Sequence, residues 1–331
     1  MTALAPHIEA FLREHLGRHR GASLHTCDSY AYSFRALFAF AAHRVKTAPC
    51  ALSLEHLDAA LVGAFLEQLE TTRHNGAATR NVRLAAIRSF FRFLQHREPA
   101  ALDQSRRVLA IPFKRRDTRL VPYLTHDEVQ ALVNAPSPTT RQGIRDRALL
   151  HLTICAGLRV SELTGLRLED VTAQALTIRV LGKGRRERAL PLWKTTRVAL
   201  RAWLAIRGAV PASEVFVNAR GQPLSRWGVA HILKGHATIA RGTCAALAGK
   251  RLSPHVLRHT CAMIVLQATH DIRKVSLWLG HSQLTTTEMY VRADPTEKLE
   301  AIEAIVPPSL RKGTFRPTDS LIAWLKLKAS Q

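Results

Sequence analysis

Apolar residues spaced by three and four recur along the first hundred residues, and this spacing limits the region to amphipathic α-helices. Each such helix carries one apolar stripe, which must be buried against a neighbouring helix. The pattern predicts helices near residues 8–16, 26–43, 57–69 and 77–94, the last with an apolar face formed by Val82, Ile87, Phe90, Phe91 and Leu94. Because the intervening loops are short, we expect an all-α bundle of about four antiparallel helices over residues 1–104.

A basic stretch, RRVLAIPFKRRDTR, follows this region at residues 106–119. Pro112 disfavours helix there, so we interpret residues 105–122 as an extended linker. The linker lies along a phosphate backbone or is simply a basic connection, and the sequence leaves both open. If the partner is DNA, the candidate contacts are Arg80 and Arg83 of the preceding helix and Lys114, Arg115 and Arg116 of the linker.

A second domain is predicted over residues 123–310. Thr125 and Glu128 form a capping-box pattern at the start of a helix, and Gly157 ends a longer helix predicted over residues 137–156. Two alternating segments, 176–181 and 188–192, flank Gly182-Lys183-Gly184 and predict a small antiparallel hairpin. Helical patterns then resume at 195–206, 227–240, 254–267, 272–279 and 285–291. The fold class is therefore mainly α, with an α+β second domain.

Charge and cysteine usage restrict the partner and the compartment. The chain has 48 Lys and Arg against 25 Asp and Glu, a formal net charge of +23, which favours a polyanion such as nucleic acid. Its five cysteines are widely spaced and form no CxxC pair, which is typical of a reducing compartment. No signal peptide or membrane-length apolar run is visible, so we expect a cytoplasmic, nucleoid-associated protein without a membrane partner.

Five short motifs in the second domain occur in a fixed order. They are GLRVSEL at 157–163, LGKG at 181–184, HVLRH at 255–259, LGH at 279–281, and Tyr290. Taken singly, each has an ordinary structural explanation, such as a surface ion pair or a core tyrosine. Taken together, they resemble the tyrosine recombinase (phage integrase) family, and within it the Xer-like enzymes.

The resemblance implies a SAM-like core-binding domain followed by the DNA breaking-rejoining enzyme fold. It also implies a site-specific recombinase that cleaves and rejoins DNA through a 3′-phosphotyrosine intermediate, for integration, excision or resolution of DNA elements. Tyr290 would be the nucleophile and Lys183 the general acid. Glu162 would hold Arg159 in place. No cofactor or metal ion is implied.

Elementary chemistry agrees with these roles. Displacement at phosphorus places negative charge on the non-bridging oxygens, and Arg159 and Arg258 can bind those oxygens bidentately. His255 shares a helical face with Arg258, and His281 would supply a further hydrogen bond. We expect the two guanidiniums to favour the phenolate of Tyr290 by lowering its pKa.

The resemblance also implies the partners. We expect duplex DNA carrying an inverted-repeat site, a dimer on each site and a tetramer in the synapse, with accessory proteins or partner recombinases possible. The tail at 311–331 would form a helix that docks either on its own domain or on a neighbouring protomer, through the apolar residues Leu321, Ile322, Trp324, Leu325 and Leu327.

Three alternatives remain open from the sequence. A non-catalytic DNA-binding protein explains the charge but not the set of catalytic residue types. A type IB topoisomerase shares the chemistry, although the motif order favours a recombinase. A zinc protein would use His255 and His259, four residues apart on a helix, together with Cys244 and Cys261.

Overall fold

The chain forms two compact units, Met1–Thr118 and Arg119–Gln331. The structure is a computed structural model that describes residues 2–115, 120–172, 175–182, 187–281 and 283–293. The boundary between the units falls inside the predicted linker. The predicted tail at 311–331 lies outside the described residues.

The first unit is an all-helical bundle. Its helices are α1 (Leu4–Glu9), which continues as a π-helix over Ala10–His19, α2 (Leu24–Val45), α3 (Ala59–Thr71), α4 (Ala77–Arg97) and α5 (Leu102–Ala110). Ser23 caps α2 and Asp58 caps α3 by accepting hydrogen bonds from backbone N–H groups. In the core, the Phe11 ring contacts Phe34 and Phe90 at centroid distances of 5.9 and 5.5 Å.

Two expectations for this unit are wrong. The stretch from residue 106 is not extended throughout, because α5 continues to Ala110 and buries Ser105 and Val108 in the bundle. The extended backbone begins only at Ile111, directly before Pro112. Val82 does not lie on the apolar face of α4: it is 48 % exposed, while Leu84 and Ile87 are fully buried.

The second unit is mainly helical with one two-stranded sheet. Its helices are α6 (His126–Asn134), α7 (Arg141–Ala156), α8 (Val160–Thr164), α9 (Lys194–Arg207), α10 (Arg226–Thr243), α11 (Pro254–Thr269), α12 (Ile272–Leu279) and α13 (Glu288–Ala293). Strands β1 (Thr177–Leu181) and β2 (Glu187–Pro191) pair antiparallel, with Val180 opposite Arg188. The predicted mainly α class with a small antiparallel sheet is therefore confirmed.

Local capping explains where two helices of this unit begin. Thr125 and Glu128 form the predicted capping box of α6. Helix α7 begins at Arg141 rather than at residue 137, because the Thr140 side chain accepts a hydrogen bond from the backbone N–H of Gly143. The final predicted helix begins as a 3₁₀ turn, and α13 itself starts at Glu288. No helix in the described part of the chain is long and apolar enough to cross a membrane.

Candidate active site

Gly157 ends α7 and sets the direction of the chain toward Arg159. Its φ of +59° lies in the left-handed region, which glycine adopts without steric cost. A Cβ at this position would lie 2.6 Å from Leu279 Cδ2 and 2.9 Å from Cys261 Sγ, so α11 and the end of α12 approach the turn closely. Gly157 therefore lets three segments of the predicted site meet.

Glu162 lies between two arginines. Its carboxylate accepts hydrogen bonds from Arg159 Nη1 at 2.7 Å and from the backbone N–H of Arg159 at 2.9 Å. It also accepts from Arg188 Nη2 at 2.8 Å and Nη1 at 3.3 Å. Burial opposes ionisation of Glu162, but these bonds outweigh burial and lower the pKa of the carboxyl below its usual range.

Helix α11 carries His255, Arg258 and His259, three and four residues apart. The Arg258 side chain is buried and donates from Nη1 to the carbonyl of Gly157 at 2.5 Å and from Nη2 to the carbonyl of Leu279 at 2.7 Å. Burial and the nearby Arg159 charge lower the pKa of Arg258 to about 10, so it keeps its charge at neutral pH. Burial and the Arg258 charge also lower the pKa of His255.

Tyr290 lies inside the site and not on its surface. The residue is 2 % exposed, and its hydroxyl lies 3.0 Å from Nδ1 of His259. Burial raises the pKa of Tyr290 to about 12, although the charges of Arg258 and Arg159 act in the opposite direction. The two guanidiniums do favour the phenolate, as expected, but in the free protein the removal of the phenol from water outweighs their attraction and the net pKa is raised.

His281 follows the left-handed Gly280 and stacks on the nucleophile candidate. Its ring lies 6.3 Å from the Tyr290 ring at an angle of 12°, and its Nδ1 lies 2.9 Å from Thr287 Oγ1. Burial and the Arg258 charge lower the pKa of His281 to about 4, and burial and His255 lower the pKa of His259 to about 4. Both imidazoles are thus neutral at pH 7, when each presents one N–H and one lone pair.

The structure brings Arg159, Glu162, Arg258, His281 and Tyr290 into one neighbourhood, and His255 lies beside them with its ring 5.1 Å from that of His259. Lys183, like Arg116 and the tail, lies outside the described residues.

Three residues of the site are not predicted as site residues from the sequence, namely Arg188, His259 and Thr287. From the sequence, His259 is a candidate zinc ligand only, and Arg188 is only one residue of a predicted strand. The alternation of β2 carried one usable signal: Arg188 shares a strand face with the buried Leu190, which is an unusual place for a charge.

The predicted DNA contacts of the first unit differ in their surroundings. Arg80 is 8 % exposed, with Nε 3.6 Å from a Glu70 carboxylate oxygen and Nη1 donating to the Pro112 carbonyl. It therefore lies inside the unit and not on its polar face, and a phosphate contact would require this cluster to open. Lys114 also pairs with Glu70, at 2.8 Å, but is exposed, as is Arg115. Arg83 lies 4.4 Å from the centre of the Tyr32 ring.

Two of the four candidate zinc ligands have other hydrogen-bond partners. The Cys261 thiol is fully buried against the carbonyl of Cys155, and His259 bonds Tyr290. Within the described residues, no group of three or more His, Cys, Asp or Glu side chains could hold a metal ion.

The helical fold and the Arg, His and Tyr cluster define a class of DNA strand-transfer enzyme, and sequence comparison agrees. Residues 122–297 match the phage integrase family, and residues 8–98 match the phage integrase N-terminal SAM-like domain. The chain belongs to the phage integrase family and is a tyrosine-type site-specific recombinase, which cleaves and rejoins DNA.

Individual relatives span nearly the whole chain. A Sinorhizobium fredii protein described as integrase/recombinase y4rC is 42 % identical over 325 residues, which cover 98 % of each chain. Tyrosine recombinase XerC of Pelobacter propionicus is 36 % identical over 314 residues, which cover 93 % of this chain and 97 % of the relative.

Solved structures share the fold. The post-cleavage complex of XerH site-specific recombinase with a palindromic difH substrate matches with a TM-score of 0.67 at 22 % identity, covering 89 % of this chain and 84 % of XerH. A lambda integrase tetramer on a Holliday junction matches with a TM-score of 0.63 at 18 % identity, covering 87 % and 77 % of the two chains. The predicted fold, with a SAM-like domain before a recombinase domain, is confirmed.

Proposed function

We propose that Tyr290 attacks a phosphodiester of duplex DNA and forms a 3′-phosphotyrosine bond. The observation that carries this proposal is the burial of the Tyr290 hydroxyl among His259, His281 and the charges of Arg258 and Arg159. The phenol oxygen forms a bond to phosphorus as the bond from phosphorus to the 5′ oxygen breaks. Rejoining reverses these steps, and because the phosphotyrosine keeps the energy of the phosphodiester, no nucleotide cofactor is consumed.

Protons move at both ends of this displacement. In the tautomer of His259 that carries its proton on Nε2, Nδ1 accepts the hydrogen bond of the Tyr290 hydroxyl and is the first acceptor for its proton. The leaving 5′ oxygen takes a proton from Lys183, the role that the family resemblance implies. Arg159 and Arg258 bind the non-bridging oxygens, with His255 and His281 as additional hydrogen-bond donors.

DNA contact precedes chemistry in this scheme. Because Tyr290 is 2 % exposed and has a raised pKa, the free protein holds a protonated, inaccessible nucleophile. Tyr290 can attack only if its hydroxyl reaches the phosphorus atom of a phosphate bound by Arg159 and Arg258, so the phenol must become accessible within the DNA complex. In the first unit, we assign DNA contacts to the exposed Lys114 and Arg115 and to Arg83, while Arg80 and Arg116 remain candidates.

The oligomeric state on DNA is inferred from the same structural relatives. Lambda integrase forms a tetramer on a Holliday junction, and XerH acts on a palindromic site. For this chain, we propose a dimer on an inverted-repeat duplex and a tetramer in the synapse, acting within the nucleoid. The division into an N-terminal core-binding domain that includes α5, a linker that follows α5 and ends at residue 122, and a catalytic domain at 123–310 is our proposal, as is docking of the tail.

The decisive experiment captures the covalent intermediate. Duplex DNA with a randomised central stretch is incubated with the protein, SDS-resistant adducts are recovered, and the enriched sequence is rebuilt as a nicked suicide duplex, hereafter the test site. We expect the adduct to map to the peptide that contains Tyr290 and the released strand to carry a free 5′-hydroxyl, which polynucleotide kinase labels directly.

The two tyrosines of the second unit form a matched pair for this assay. Tyr290→Phe should bind the test site without forming an adduct, while Tyr123→Phe should retain cleavage. An adduct formed by Tyr290→Phe would exclude Tyr290 as the nucleophile, and a 5′-phosphotyrosine would exclude the proposed polarity.

A further inference from the structure

Arg188 lies on β2 and points into the second unit. Its position opposite Val180 in the antiparallel register places both side chains on the same face of the hairpin, and Val180 is 3 % exposed. The Arg188 side chain is 11 % exposed. An arginine is seldom buried to this extent unless its charge is matched by a partner.

The partner of Arg188 is Glu162, and the two arginines around Glu162 donate as many hydrogen bonds as its carboxylate can accept. An ionised carboxylate offers about four lone-pair sites. Arg159 occupies two of them through its backbone N–H and Nη1, and Arg188 occupies the other two through Nη1 and Nη2. Arg188 therefore supplies half of the bonds that fix a carboxylate whose side chain is only 5 % exposed.

Arg188 also contacts a second segment of the site. A Cβ built on Gly280 would lie 3.0 Å from Arg188 Nη1 and 3.2 Å from its Cδ, so the guanidinium lies directly against the residue that precedes His281. One side chain thus touches the turn that carries His281 and, through Glu162, the helix start that carries Arg159. In the sequence, the same hairpin carries Lys183 between its two strands.

We propose that Arg188 is a positioning residue for strand cleavage, which fixes Arg159 through Glu162 and fixes the His281 turn by direct contact. The proposal rests on the proposed function, because its consequence is a correctly placed phosphate-binding Arg159. A planar guanidinium with two parallel donors matches the geometry of the Glu162 carboxylate. A lysine ammonium would retain the charge but could not donate two parallel hydrogen bonds.

The test compares Arg188→Met with Arg179→Met on the same hairpin. Arg179 is exposed, and its guanidinium donates to the Glu169 carbonyl, so its loss removes the same charge without touching the site. Single-turnover cleavage of the test site is measured for folded protein, with binding affinity measured separately. We expect Arg188→Met to cleave about 10- to 100-fold more slowly with unchanged affinity for the test site. This is the range typical of losing a residue that orients a directly acting group through a hydrogen bond. Arg179→Met should match the wild-type enzyme.

A pH profile and a chemical rescue separate positioning from plain structural support. Glu162 is faced by Arg159 at the start of its own helix, by Arg188 of β2 and by the Arg258 charge of α11. Without Arg188, the Glu162 pKa rises. The fall of the cleavage rate toward acid pH, the acid limb of the pH–rate profile, should therefore begin at higher pH in Arg188→Met. Guanidinium ion at non-denaturing concentration should accelerate Arg188→Ala and leave Arg179→Ala unchanged.

Each result supports or overturns the proposal. Equal cleavage rates for Arg188→Met and Arg179→Met, or an unmoved acid limb, would overturn it. If Arg188→Met does not fold, Arg188→Lys takes its place, and it should cleave more slowly than the wild-type enzyme; a wild-type rate would overturn the proposal. Absence of any adduct with the wild-type enzyme would instead refute the proposed function.

Discussion

Substitution of Gly157 by alanine tests whether the close meeting of α7, α11 and α12 is real. The new methyl group would lie 2.6 Å from Leu279 Cδ2 and 2.9 Å from Cys261 Sγ, both closer than atoms normally approach. The Gly157 carbonyl accepts a hydrogen bond from Arg258, and the Leu279 carbonyl accepts another. Any movement that relieves the overlap therefore disturbs the position of Arg258 as well.

Two effects determine the size of the change. A φ of +59° costs a residue with a Cβ about 1–2 kcal/mol, and forcing a methyl group into a packed core costs about 1–3 kcal/mol. We therefore expect Gly157→Ala to lower the free energy of unfolding of the second unit by about 2–5 kcal/mol. Cleavage of the test site should fall even where the variant is fully folded, because Arg258 is displaced.

All five tryptophans of the chain lie after residue 192, so their fluorescence reports unfolding of the second unit in urea. Gly235→Ala is the matched control, since Gly235 lies within α10 and a Cβ there meets nothing within 4 Å. It should stabilise the unit by about 0.5–1 kcal/mol, the usual difference between alanine and glycine in a helix. If Gly157→Ala shifts the urea midpoint no more than Gly235→Ala does, the described packing at the turn is wrong.

Three further outcomes are expected. Glu162→Gln should slow cleavage of the test site about 10- to 100-fold, because the neutral amide holds Arg159 and Arg188 less firmly; a wild-type rate would contradict this. His259 and His281 take up protons near pH 6.5 when unfolded but near pH 4 when folded, so their stabilising contribution is present above pH 6.5 and lost as the pH falls through 4. Urea midpoints should fall over that interval, and less so in His281→Gln. Affinity for the test site should fall steeply with salt, and a flat dependence would exclude extensive phosphate contact.

Much of the fold could be predicted from the sequence, because local signals and burial agree. The spacing in α2 and α4, the capping box of Thr125 and Glu128, and Gly157 as a helix end all determine structure over a few residues. The wrong prediction of an extended stretch from residue 106 depended on contacts distant in sequence. Helix α5 continues into the basic stretch because Val108 packs into a bundle formed by residues far earlier in the chain.

The site could be predicted in its residue types but not in its electrostatics. The order of motifs identified Arg159, Arg258, His281 and Tyr290 as candidates. The balance between burial and the guanidinium charges at Tyr290 depends on how deeply α13 is packed, which no local pattern reveals. Likewise, the pairing of Arg188 with Glu162 joins residues 26 apart in the chain.

The two carbonyl contacts of Arg258 have a consequence for genetic work on this enzyme. A guanidinium has five N–H donors, and Arg258 uses two of them on Gly157 and Leu279, which leaves three for a phosphate. The same side chain thus holds the segments of the site together and can also contact the phosphate. A substitution at position 258 would abolish recombination either by removing a phosphate contact or by disrupting the packing of Gly157 and Leu279. A screen for loss of recombination therefore cannot by itself assign Arg258 a catalytic role.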